Sequence, residues 1–138
     1  MHRDRPYGPI LNMLRTAGLR PTRQRLGLAR LLFEGEGYHH VTAEMLHSRA
    51  LSENISVSLA TVYNTLNQFI EGGLLKEVVV TSGLSYFDTN TESHHHFYIE
   101  NTGQLIDIPS ESVGISHLPP LPEGANLRSI DVVIRLEG

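Results

Sequence analysis

The sequence predicts an α+β fold: an N-terminal winged helix-turn-helix domain followed by a small C-terminal α/β dimerisation domain. Three observations predict it. Apolar residues recur at helical spacing from Ile10 to Ile70. The period switches to strand-like alternation immediately after Gly72-Gly73. Further strand segments follow the His94-His95-His96 triplet, the last of them alternating through Ile130, Val132, Ile134 and Leu136. A chain of 138 residues, 40% hydrophobic and 19% charged, has a globular composition.

The helices are read from apolar spacing and capping residues. Ile10, Met13, Leu14 and Ala17 share one face of a helix over residues 9–17 that Gly18 stops. Pro21 breaks the chain and Thr22 caps a second helix running to Phe33, with Leu26, Ala29, Leu32 and Phe33 on one side; Gly35 and Gly37 end it. Thr42 caps a third helix, residues 43–50, that buries Met45 and Leu46. Ser58 caps a fourth, residues 59–70, that buries Val62, Leu66, Phe69 and Ile70. Residues 74–80 and 85–87 then pair around Thr81-Ser82-Gly83. Helices followed by a two-stranded hairpin is the order of a winged helix-turn-helix.

This places a DNA-binding domain at residues 1–88, a polar hinge at 89–93 and a second domain at 94–138. In the second domain, residues 95–100 and 104–108 form strands around Asn101-Thr102-Gly103, residues 109–124 hold one short helix, and residues 127–136 form a third strand. So short a unit cannot bury a core alone, so a homodimer is expected.

Bulk properties narrow the function. No apolar run approaches the ~18 residues of a membrane span. The N-terminus, Met1-His2-Arg3-Asp4-Arg5-Pro6, does not read as a signal peptide, and a cytoplasmic protein without membrane partners is expected. The absence of cysteine excludes disulfides, thiolate metal sites and cysteine nucleophiles. The net charge of −4 is uneven: residues 1–50 carry eight Arg against four acidic residues, and residues 51–138 carry three basic residues against eleven acidic ones. Such a chain can offer a basic face to a polyanion while remaining acidic overall.

The fourth helix is the candidate reader of double-stranded DNA. Its outer face presents Ser58, Thr61, Asn64, Thr65 and Gln68, with Tyr63 at the boundary, and almost no charge. Uncharged donors and acceptors of this kind suit base edges, and the helix N-terminus with Ser58 suits a phosphate. Arginines around the second helix start, Arg20, Arg23 and Arg25 among them, would supply backbone contacts. For this segment taken alone, an ordinary solvated helix face is the alternative.

The histidines are the candidate sensor. Five of eight fall in His39-His40 and His94-His95-His96. On a strand, His94 and His96 share one face and His95 takes the other. With His40, Asp88 and Asp107 they make an N/O-only donor set, suited to Fe(II), Mn(II) or Zn(II) at a coordination number above four. Ligands drawn from both domains would let a metal set their mutual orientation. Haem is a second reading: exposed adjacent histidines, His94, His95 and His96, could supply axial ligands, with His95 the natural candidate. A hydrolytic metalloenzyme would need a general base beside the metal, and no Glu flanks the triplet in that arrangement, so an enzyme is not expected.

Gly18-Leu19-Arg20-Pro21-Thr22-Arg23-Gln24-Arg25, His40-Val41-Thr42-Ala43-Glu44, residues 59–69 and the His triplet together resemble the ferric uptake regulator superfamily over nearly the whole chain. Residues 86–90, the triplet and the ending at residues 131–136 are most similar to its iron-response-regulator branch. The resemblance implies a dimeric transcription factor that binds iron-control elements in promoters when iron is scarce and answers to haem. It implies a minor-groove role for Arg20 and a base-contacting role for Tyr63, with Asn64 standing where the superfamily often has Arg. It implies a regulatory metal at His40, Asp88, His94, His96 and Asp107, with spacing like the peroxide-sensing branch. Siblings that sense Mn(II), Zn(II) or peroxide are the alternative. Two departures follow. Ile99 and Thr102 stand where a Cys-x-x-Cys pair would hold structural zinc, so a structural zinc site of four cysteines is not expected. Gly114 and Ile130 fall near ligand positions of a further histidine-rich site. No Cys-Pro haem motif exists, so haem would have to bind through histidine.

Overall fold

The computed structural model describes residues 8–35 and 40–138. The readings that involve residues 1–6, Gly37 and His39 lie outside the described residues. The chain forms two compact units that divide between Thr91 and Glu92.

In the first unit the order is α1 (Gly8–Thr16), α2 (Arg23–Phe33), β1 (His40–Val41), α3 (Ala43–Ser52), α4 (Leu59–Glu71), β2 (Lys76–Thr81) and β3 (Leu84–Asp88). Three helices start where a hydroxyl can take an orphan backbone N–H. Thr22 Oγ1 accepts from Arg25 N, Thr42 Oγ1 from Met45 N and Ser58 Oγ from Thr61 N, each at 3.1 Å. Replacing Ser58 with alanine is expected to cost about 1 kcal/mol. The readout is a lower urea midpoint with an unchanged slope; an unchanged midpoint would contradict the capping role.

The helices pack around Leu14, Leu28, Leu32, Leu46, Leu66 and Phe69, all fully buried. Met45, expected in this core, is 46% exposed. The buried positions of α3 are Ala43, Leu46 and Ala50, and Met45 lies about 100° off that stripe. Thr65, expected on the outer face of α4, is 4% exposed. It belongs to the buried stripe Val62, Thr65, Leu66, Phe69 at i, i+3, i+4, i+7.

The hairpin β2–β3 turns at Ser82-Gly83, where Gly83 has φ +80°, and a bulge lies between Val79 and Thr81. The sheet has three strands, not the expected two: the two-residue β1 pairs antiparallel to β3 in the order β1-β3-β2. A strand this short carries no readable alternation, but its register sets His40 directly opposite Asp88.

The second unit is a three-stranded sheet in the order β5-β4-β6: β4 (His94–Ile99), β5 (Gln104–Pro109) and β6 (Val133–Leu136). The β4–β5 hairpin is antiparallel and β6 runs parallel to β4. The expected third strand, residues 127–136, is shortened to Val133–Leu136, and the short helix is a single 3-10 turn at Ser110–Ser112. Pro119, Pro120 and Pro122, which lack backbone donors, punctuate the irregular segment between them.

Candidate functional site

In the first unit, the β1–β3 register brings His40 Nε2 to 3.2 Å from Asp88 Oδ2. The Asp88 carboxylate is fully buried, and its Oδ1 accepts a hydrogen bond from the Asn90 backbone N–H at 2.9 Å. A buried carboxylate is costly unless paired, hydrogen-bonded or on a metal.

In the second unit, His94 and His96 lie two residues apart on β4 and share a face, and the register sets His96 opposite Asp107. Both imidazoles direct Nε2 at the same oxygen, Asp107 Oδ1, each at 3.2 Å, with the two rings 4.4 Å apart. His94 Nδ1 lies 2.6 Å from the Glu92 carbonyl, which can only accept, so Nδ1 carries a proton. In neutral His94 the other nitrogen then presents its lone pair to a carboxylate oxygen. Two lone-pair donors aimed at each other are repulsive until a cation lies between them. Ligand atoms bound at about 2.0–2.2 Å from one ion lie about 2.8–3.6 Å apart between octahedral and tetrahedral geometry, and the 3.2 Å spacings fall inside that span. The carbonyl on Nδ1 is the usual outer partner that fixes a ligating histidine's tautomer and tilt. These residues fit a divalent cation of the Fe(II), Mn(II) or Zn(II) type.

His95 points to the opposite face. Its Nδ1 accepts from the Val132 backbone N–H at 3.0 Å, which pins the approach to β6. The haem reading of His94, His95 and His96 assumed exposed imidazoles. All three are buried, at 4%, 6% and 1% exposure.

Of the residues expected to face DNA, Thr65 is buried and Gln68 is bonded within the protein. The outer stripe of α4 is Ala60, Tyr63, Asn64 and Asn67, with Tyr63 40% exposed. Arg20 and Arg23 are exposed; the Ser58 and Thr61 hydroxyls bond each other at 3.0 Å. Gln68 is half-buried, and its Oε1 accepts from Arg25 Nε at 3.0 Å and Nη2 at 2.8 Å, while Arg25 Nη1 donates to the Arg20 carbonyl at 2.8 Å. Arg25 and Gln68 thus form a clamp that ties α4 to the segment carrying Arg20. The loop entering α4 is held as well: Gln24 Nε2 donates to the Ser56 carbonyl at 3.2 Å and His47 Nε2 to the Val57 carbonyl at 3.0 Å.

Sequence reasoning missed Asn67 and Glu44. Asn67 was findable, four residues beyond Tyr63 on the same stripe. Glu44 was not: it meets Tyr63 from α3, nineteen residues away, accepting the phenol proton at 2.9 Å.

Residues 16–133 match the Ferric uptake regulator family. Similar curated proteins include the peroxide-responsive repressor PerR of Staphylococcus epidermidis, 34% identical over 110 residues, covering 80% of this chain and 67% of that one. The protein of the same name from Staphylococcus aureus (strain Mu50) is 35% identical over 94 residues, covering 68% of this chain and 62% of that one. The chain therefore spans about two thirds of the length of these relatives. Among solved structures, the ferric uptake regulator from Pseudomonas aeruginosa with manganese matches with a TM-score of 0.68 at 25% identity, covering 92% of this chain and 96% of that chain. The Vibrio cholerae ferric uptake regulator matches in fold with a TM-score of 0.72 at 22% identity, covering 94% and 99%.

Proposed function

Since this chain belongs to the ferric uptake regulator family, we propose that it is a metal-responsive transcriptional regulator that binds promoter DNA as a homodimer, with a divalent cation as its signal. The observation that carries the reading is the convergence of His94 Nε2 and His96 Nε2 on one Asp107 oxygen, with the His94 tautomer already set by Glu92. In this reading His40 and Asp88 join His94, His96 and Asp107 as ligands. When bound, the metal supplies positive charge that lets imidazole and carboxylate donors share one place.

The fold supports each remaining part. The exposed outer stripe of α4, with Tyr63, Asn64 and Asn67, suits a major groove, and exposed Arg20 and Arg23 suit the phosphate backbone. Ile106 on β5 and Ile134 and Leu136 on β6 are exposed, which is the apolar surface a second copy would cover. No helix among the described residues is long and apolar enough to cross a membrane.

The solved relative with manganese supports Mn(II) among the candidate ions, and the name peroxide-responsive repressor supports a repressor that answers to oxidants. The reading stops at a divalent metal rather than haem because the three triplet imidazoles are buried. A gel shift with an A·T-rich palindromic promoter duplex at fixed salt tests it, in Mn(II) and in chelator. Metal-dependent binding at least about tenfold tighter than to random duplex is expected. Equal binding to both duplexes would sink the DNA reading. A Soret shift on adding haem, lost on removing the triplet, would replace the metal with haem as the signal.

A further inference from the structure

The proposed reading leaves Glu44 unexplained. It is an exposed carboxylate on α3 beside the DNA-facing stripe, where a phosphate-binding surface gains nothing from negative charge. Its Oε2 accepts the Tyr63 O–H at 2.9 Å. A cavity of about 320 Å³ opens beside the pair, bounded by Asn67 of α4 and by Glu77, Leu84 and Ser85 of the hairpin. With open space there, the hydrogen bond to Glu44 is what directs the phenol hydrogen.

A phenol has one proton to donate and oxygen lone pairs to accept with, and an ionised carboxylate can only accept. With its O–H engaged by Glu44, Tyr63 has only an acceptor oxygen and an apolar ring left to show a base pair. In the major groove, adenine and cytosine present amino donors, thymine adds a methyl group, and guanine presents two acceptors, O6 and N7. Resting on the DNA reading above, we propose that Glu44 is a specificity-determining positioning residue: by holding the Tyr63 proton it makes Tyr63 an acceptor, so that Tyr63 tolerates adenine, cytosine or thymine and rejects guanine. The hydrogen bond from Tyr63 to Glu44, with lesser contributions from desolvation and the Glu44 charge, raises the phenol pKa above the ordinary tyrosine value, so the oxygen stays protonated and uncharged.

The test is selection from a randomised duplex library by the full-length protein with Mn(II), for wild type, Glu44→Gln and Tyr63→Phe. A glutamine amide can donate to the phenol oxygen as well as accept from it, so the phenol proton is no longer held in a single direction while the side chain keeps its size. Wild type is expected to disfavour guanine about 3- to 10-fold at one symmetry-related position. Glu44→Gln should erase or invert that bias there, Tyr63→Phe should lose it there, and other positions should keep their preferences. A Glu44→Gln profile superimposable on wild type, or a change spread evenly over all positions, would overturn the proposal while leaving the DNA reading intact. No enriched sequence for wild type would end both. Ultraviolet titration of the phenol, isolated as wild type minus Tyr63→Phe, adds a direct readout: the transition should move down in Glu44→Gln, and an unmoved transition would contradict the hydrogen bond.

Discussion

Replacing His96 by alanine is expected to weaken Mn(II) binding about 100-fold or more, since loss of even an outer partner of a metal ligand typically costs about 10- to 100-fold. His96 is 1% exposed and shares the Asp107 oxygen with His94, so its removal takes away one of the two imidazoles that converge on that oxygen. In the proposed function, metal-dependent DNA affinity should fall to the value in chelator. Isothermal titration with Mn(II) and a repeat gel shift measure the two losses, and a urea melt separates them from unfolding. Unchanged metal affinity in a folded His96→Ala protein would remove β4 from the sensor. His40→Ala sharpens the result. If one ion takes ligands from both units, His40→Ala should weaken metal binding as well; full affinity in that variant would confine the ion to the second unit.

The largest stability effect is expected at Phe69. Its ring is fully buried on the inner stripe of α4 and tilts at 47° to Phe33 of α2, with centroids 6.2 Å apart. Truncation to alanine removes the aromatic pair and leaves a cavity that fully packed neighbours such as Leu28, Leu32 and Leu66 fill poorly. The expected cost is about 3–5 kcal/mol, set against a total of about 5–15 kcal/mol for a natural domain. Guanidinium unfolding followed by far-ultraviolet circular dichroism would read it as a lower midpoint. A loss below about 1 kcal/mol would mean the site collapses around the missing ring. Phe69 sits on the side of α4 opposite Tyr63, Asn64 and Asn67, so a drop in DNA binding should track the unfolded fraction rather than base preference.

The clamp of Arg25 and Gln68 gives two residues of DNA-contacting type a partner within the protein that the sequence does not signal. Arginine near a helix start and glutamine on a polar helix face both suit nucleic acid. Once α2 and α4 pack, the two side chains meet at 2.8 Å and satisfy each other. Glu44 and Tyr63 make a second case. Neither residue signals the other in the chain, and only the packing of α3 against α4 brings carboxylate and phenol together.

The helices, their hydroxyl caps, both hairpins and the shared face of His94 and His96 were legible in the chain, because periodicity and capping act over a few residues. The pairing of His40 with Asp88, the seating of Asp107 under two imidazoles, the inward turn of Thr65 and the outward turn of Met45 were settled only by tertiary structure. Those depend on strand register and on which helix stripe finds a partner, and such long-range choices leave no local period to read.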